Sequence, residues 1–441
     1  MAVLDTTSAA SIIKYLYPDY TVPRELRKNN PFFAMLAKKT NFVGKSVDVP
    51  LTINSIQGGG ATFTGAKTAS ETSEAYNDTY KTFVLTRKSD YSLATISGEA
   101  MKAAVMDEGA MVDLFQDTMD LAMFTAMRSL SRHLFRDGTG TIGKVGSISS
   151  TTITLATPSD AYNFSLGERV SVFSGVVGGT AFMYDTVINS TVATPIRVTA
   201  VDRKAGTITV NDATNILAGH YLARATDRVV STDNASVFTG SNVVTGMKQW
   251  IAGSDLGVAT GLSTSAFFPA SVYGLTRTAD KTSLGGSLLD CTGASPDEAI
   301  IQLASDVAAE GGRPDHCFMN PRDFAALNKF LGSRTVYDRA VSIEDAEIGF
   351  QSIMLMGDTG PIKCVSDINV PQSEIFLVQL DTWDLFSLNA APHILDYDTN
   401  QFLRVSDNDA YQIRVGSYAN LRCRAPGFNG RGKNFLAATV Y

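Results

Sequence analysis

From residue 109 to 138 the chain reads GAMVDLFQDTMDLAMFTAMRSLSRHLFRDG. Met111, Leu114, Phe115, Met119, Ala122, Ala126 and Ser129 recur every three or four positions, which predicts a long helix with one apolar or small-residue stripe. Arg128, Arg132, His133 and Arg136 gather toward its end and Gly138 follows, matching the cation preference and left-handed stop of a helix C-terminus. Ahead of this helix the period drops to two. In KSVDVPLTINSIQ, Val47, Val49, Leu51 and Ile53 alternate with other residues, and TYKTFVLTRKSDYSLATIS returns as a second strand region. Between them lies GGGATFTGAKTASETSEAYND, which has almost no core formers and reads as a polar, structureless tip. An isolated ribbon of two strands is marginal in water, so the economical reading is an arm that leans on another molecule.

Nearer the start, SAASIIKYLYP is a short amphipathic stretch. In NNPFFAMLAKK, Asn30 is placed as an N-cap and Pro31 as the first helical residue. Phe32 and Phe33 then need something to cover them. From 141 to about 240 the chain is β-rich, with a hairpin turn at Ala205-Gly206, and reads as an inserted small barrel or sandwich. A loop-rich segment, TGMKQWIAGSDLGVATGLS, leads out of it.

From 295 the texture becomes α/β. Ser295 is placed as N-cap, with Pro296, Asp297 and Glu298 in the first turn. Ile300, Leu303, Ala304 and Val307 form the stripe, and Gly311-Gly312 closes the helix. HCFM is a short strand, and Asn320-Pro321 opens a second helix. FQSIMLM, PIKCVS and EIFLVQL are further strands, the last covered on both faces. AYQIRVGSYANLRCRAP closes the chain as β.

One motif competes with this reading. Gly138, Gly140 and Gly143 in DGTGTIGKV satisfy a dinucleotide spacing, and Gly138 to Lys144 satisfy most of a P-loop. Val145 stands where Ser or Thr would hold magnesium, and the order is helix, glycines, strand, the reverse of what phosphate binding at a helix N-terminus needs. The glycines therefore read as a helix cap and turn.

Composition and charge narrow the function further. The 441 residues are 44% hydrophobic and 18% charged, which suits a globular chain with sizeable cores. No run approaches the ~18 apolar residues of a membrane helix. Cys291, Cys317, Cys364 and Cys423 are far apart without a C-x-x-C, so they read as buried thiols. Net charge is −7, and no Lys/Arg block forms the basic face that gripping phosphates requires. Candidate chemistry is thin. Asp396, Asp398, Asn400 and Asp407 mimic calcium-loop positions, but Gln401 replaces the glycine of the sharp turn. His316 and Cys317 are adjacent and would point to opposite faces of a strand. His133, His220 and His393 have no partners nearby in sequence, so no catalytic set, cofactor site or metal site is nominated.

This order of parts resembles the major capsid proteins of tailed bacteriophages, the HK97-like fold. IMLMGDTGPIKCVSDINVPQSEIFLVQLDTW is similar to that family's axial-domain strands, and YQIRVGSYANLRCRAPGFNGRGKNF to its closing strand and tail. The resemblance implies an α+β chain with an N-terminal arm at 1–44, an E-loop hairpin at 45–97 and the spine helix of a peripheral β domain at 98–138. It further implies a β-rich insertion at 139–240, a connecting segment at 241–294, an axial α/β domain at 295–395, and closing strands with a C-terminal tail at 396–441. The expected role is structural and not enzymatic: self-assembly into hexamers and pentamers of an icosahedral head that encloses double-stranded DNA. Phe32, Phe33 and Met35 in the arm, with Phe63, Lys67, Glu71 and Tyr76 on the hairpin, are the expected contacts between subunits; Lys67 is also where some capsids of the family form a cross-link to a neighbour's Asn. Implied partners are a scaffolding protein, a portal protein, a decoration protein, and packaged DNA by non-specific proximity, with no membrane. Because the chain opens on Met1 without a charged helical segment, the scaffold is expected to be separate. The expected location is the virion, and the host cytoplasm during assembly. A ring-forming tail or connector protein is the structural alternative; a hydrolytic enzyme with its site split between 295–395 and the β insert is the other.

Overall fold

The strand Ala410–Cys423, fourteen residues long, organises the molecule. In this computed structural model, residues 30–53, 58–71, 80–100, 114–173, 196–214, 216–225, 227–230, 238–255, 271–331, 352–396 and 402–436 are described. Along one edge the strand pairs antiparallel with Lys88–Ser97 over ten consecutive residue pairs, from Ala410 with Ser97 to Ala419 with Lys88. Along the other it pairs in turn with Phe402–Arg404, His393–Ile394 and Trp383–Ser387. Ala37–Lys39 then adds parallel to Trp383–Ser387. The helix Leu114–Leu134 lies on one face of this sheet, where Ala122 and Ala126 pack with Ile96, Ile413 and Val415. Small residues at the contact let the helix approach the sheet closely.

The second sheet runs in the order Ser287–Asp290, Gly430–Lys433, Glu374–Val378, His316–Met319, Gly360–Ser366, Ser352–Gly357. Helices Pro296–Ala309 and Pro321–Leu331 cover one face through Ile300, Leu303, Ala304 and Leu327. The other face presents Phe318, Phe376 and Val378 to the largest core. Glu374–Val378 is thus buried on both sides, which explains its unbroken apolar run. The chain crosses between the sheets, and this corrects the boundaries read at 295 and 395. Ser287–Asp290 and Gly430–Lys433 belong to the α/β sheet, whereas Trp383–Ser387 belongs to the helix-backed one.

Six strands between Thr141 and Arg224 form a third unit. Its six strands run in the order Val170–Phe173, Tyr221–Arg224, Thr141–Ser149, Thr152–Leu155, Thr207–Val210, Val198–Asp202. The bridge between Arg169 and Arg197 joins the two ends, with Val170 N–H donating to Ile196 O at 3.0 Å. The sheet is therefore a closed barrel, filled by Ile142, Ile153, Phe164, Val172, Ile208 and Leu222. Gly138 (φ 77°) and Gly140 (φ 82°) turn the chain from the helix into its first strand. They serve as a stop and a turn, and a Cβ on Gly138 would approach Thr245 Cα at 3.0 Å.

Candidate assembly surface

Ser46–Thr52 and Tyr80–Thr86 pair antiparallel over seven residues as a ribbon of two strands. Its root is fixed in the body. Val49, Phe83 and Leu85 enter the main core, where the Phe83 ring meets Trp250 edge-on at 5.2 Å. Asn420, fully buried, donates from Nδ2 to Thr86 O at 2.7 Å and accepts Thr245 N–H on Oδ1 at 3.1 Å. Val84 N–H donates to Tyr273 O at 2.9 Å.

Beyond the ribbon the polar stretch is not structureless, as its composition suggests, but carries the helix Phe63–Glu71. Local groups build it. Thr62 Oγ1 accepts Gly65 N–H at 3.1 Å as an N-cap would, and Lys67 lies 3.6 Å from Glu71 one turn on. None of its residues is buried, and Phe63 is 87% exposed. A short helix with no covered face gains little from its own subunit.

The other expected contact residues are placed differently. Phe32 and Phe33 lie in the subunit's own core, and the Phe32 ring packs against Phe135 and Phe318 at 5.2 Å in each case. Their apolar surface is already covered, so they are not free to anchor a neighbour; Met35 is half-buried against the same cluster. Phe63, Lys67 and Glu71 share the exposed outer helix. Tyr76, like Asp398 and Asn400 of the calcium-like loop, lies outside the described residues.

Behind the ribbon is a charged joint that sequence spacing could not reveal. The end of the long helix meets the barrel through Arg128, whose guanidinium donates to Ser165 Oγ and to Tyr162 O, and through Arg132, which lies 3.7 Å from Glu168. Arg136 pairs with Asp160 at 2.7 Å. Arg224 reaches both Asp90 at 2.5 Å and Asp227 at 2.6 Å. His133 Nε2 approaches Asp227 at 3.4 Å in a geometry short of a hydrogen bond. Burial pushes the His133 pKa down, so the imidazole is neutral at neutral pH. Burial opposes ionisation of Asp227, but the nearby guanidinium charges of Arg224 and Arg132 help hold the carboxyl below its usual range. These basic residues do more than favour a helix end: they clamp the barrel to the helix.

Among the described residues no cluster of three or more His, Cys, Asp or Glu could hold a metal ion, and no helix is long and apolar enough to cross a membrane. A sheet backed by one long helix, a projecting ribbon, a barrel inserted after the helix and a second α/β sheet make an α+β chain whose parts follow the order that the resemblance to HK97-like capsid proteins implies. Residues 231–419, somewhat under half of the chain, match the family model of the SU10 major capsid protein. Solved structures similar in outline include the cyanophage A-1(L) capsid asymmetric unit, at 11% identity over 98% of each chain with a TM-score of 0.48. The capsid of a native GTA particle aligns at 11% identity over 98% of this chain and 99% of that one, with a TM-score of 0.45. The SrpI encapsulin of Synechococcus elongatus aligns at 9% identity over 98% and 96%, with a TM-score of 0.42. No curated protein matches the chain significantly.

Proposed function

We propose that copies of this subunit associate into hexamers and pentamers that close an icosahedral head around double-stranded DNA. The observation that carries this reading is the outer helix Phe63–Glu71, presented on a rooted ribbon with none of its residues buried. Phe63, Lys67 and Glu71 supply its contacts to a neighbour, and many modest contacts repeated around a ring act together. Phe32, Phe33 and Met35 serve the subunit that carries them by rooting residues 30–39. A scaffolding protein and a portal protein are the partners such a head uses, and assembly takes place in the host cytoplasm. The insert barrel is a candidate for the surface that a decoration protein meets.

Electron microscopy of the purified chain tests the proposal. Closed shells are expected from the wild type, and only small particles from Phe63→Asp, whose circular dichroism and unfolding midpoint should match the wild type because the side chain contacts no core. Shells from Phe63→Asp would remove the outer helix from the assembly surface; rings or monomers from the wild type, with its scaffold supplied, would overturn the shell itself.

A further inference from the structure

An open groove of about 530 Å³ runs between the long helix and the barrel. Pockets that hold small ligands span about 300–1,000 Å³, so its size suits one. Its rim is apolar: Leu121 and Phe124 stand on the helix and Leu166 on the barrel, and Leu166 is 69% exposed. Its floor is basic, with Arg128, Arg132, Arg203 and Arg224. Arg224 is held by Asp90 and Asp227 and Arg132 faces Glu168, so four guanidiniums stand against three carboxylates and one positive charge is left over. Burial lowers the Arg132 pKa to about 10, and the like charges of Arg224 and Arg128 add to the fall against the pull of Glu168. Two buried side chains of the lining also keep polar atoms without a hydrogen-bond partner: the Ser129 hydroxyl and Arg132 Nε, on residues 2% and 3% exposed. Arg203 Nε is likewise unpartnered. Buried polar atoms normally find partners, and all three of these can donate. What the floor lacks is an acceptor.

One compact anion meets both shortfalls, the unmatched charge and the unused donors. A carboxylate carries a single negative charge and only accepts, whereas a phosphate monoester carries about two and would overshoot the one unmatched cation. The exposed leucines require the rest of the ligand to be apolar. A bare anion or a nucleic-acid backbone would leave them in water, and a neutral lipid would leave the guanidiniums unmet. We propose that this groove binds a monocarboxylate on a medium-length apolar chain, with the carboxylate on the arginine floor and the chain along the rim of Leu121, Phe124 and Leu166. A ligand so placed touches helix and barrel at once and adds to the joint between them. This inference goes beyond the assembly reading, and it is tested on unassembled subunits so that the two stand or fall separately.

Isothermal titration calorimetry of the full chain with decanoate, decanol and acetate supplies the test. Decanoate is expected to bind saturably, with decanol and acetate each weaker by about tenfold or more. Arg203→Gln should weaken decanoate about fivefold and leave decanol unchanged. Leu166→Asp, at an exposed position, should weaken decanoate about tenfold by removing apolar cover and adding a like charge. The circular dichroism spectra of both variants should match the wild type, and each variant tests the site without the other. Decanol binding as tightly as decanoate would take the arginines out of the site, and acetate binding as tightly would take out the rim. Either result overturns the proposal, as does a decanoate affinity that neither substitution moves or the absence of saturable binding.

Discussion

Asp384 is 1% exposed, and three cations converge on it: Lys39 at 3.3 Å, Arg422 at 2.5 Å and Arg424 at 3.4 Å. Removing a buried carboxylate strands the charges that faced it, at a cost of about 3–5 kcal/mol for a broken buried pair. Part of the cluster is solvated through Lys39 and Arg424, so Asp384→Ala should lower stability toward the lower end of that range in urea unfolding, and should free Ala37–Lys39 from its parallel pairing. Two other carboxyls carry the pH dependence. Burial pushes Asp367 up to about 6 and Asp323 up to about 7, although Asp367 accepts Phe32 N–H and Asp323 accepts Ser373 N–H. A carboxyl raised in the folded state binds its proton more tightly there than in the unfolded chain, where its pKa is near 3.8. Its stabilisation is full in acid and is lost as pH rises through the raised value. The lowered pKa of the buried His133 acts in the opposite sense over the lower part of this range. Comparison with Asp367→Asn isolates the carboxyl: relative to the wild type, the variant should gain stability as pH rises from about 3.8 to about 6 and level off above that window in denaturant titrations. Such roles were illegible in the sequence. Asn30 was placed as the cap of the helix Pro31–Met35, but its side chain makes no capping bond, and the acceptor comes instead from Asp367, 335 positions away. A cap is recognisable from spacing only when it is local, as it is at Thr62.

Elements were more legible where their period was strong. The stripe of Ala122 and Ala126 lies against the sheet as the three-and-four spacing required, and Ile300, Leu303, Ala304 and Val307 are all buried on Pro296–Ala309. The turn at Ala205-Gly206 also lies between paired strands. Closure of the barrel was not legible, because it depends on Arg169 meeting Arg197, and neither residue carries a signal for the other. The outer helix was missed because it has almost no apolar residues to show a period. One junction between elements leaves no room at all. A Cβ on Gly246 would stand 2.2 Å from His133 O, 2.4 Å from Arg136 O and 2.5 Å from Leu134 O, all at the end of the long helix. Those are backbone atoms held by the helix and the charged joint, so they cannot step aside. Gly246→Ala should destabilise the subunit by about 4 kcal/mol or more, measured as loss of soluble protein or a lowered thermal midpoint.

At the scale of the whole molecule, the order of parts along the chain carried the fold class, whereas the exchange of strands between the two sheets did not follow from it. Pairing over such separations is set by the packing of the finished cores, not by local pattern. Under the proposed assembly, the net charge of −7 of each subunit bears on the whole shell. A wall of acidic subunits attracts a polyanion weakly, so assembled shells are expected to bind duplex DNA poorly at physiological salt and to show only a shallow salt dependence. A steep decline of affinity with salt in filter-binding titrations would instead reveal a concentrated basic lining.

The placement of Ala410–Cys423 has a consequence for synthesis. Every other strand of the helix-backed sheet except Ala37–Lys39 hydrogen-bonds to it directly, yet it is translated after all of them. A nascent polypeptide cannot complete this sheet until residue 423 has been made, so products terminated before it lack the common partner of the whole layer. Truncated copies are thereby expected to remain unfolded and open to proteases, which under the proposed assembly keeps them out of a growing lattice.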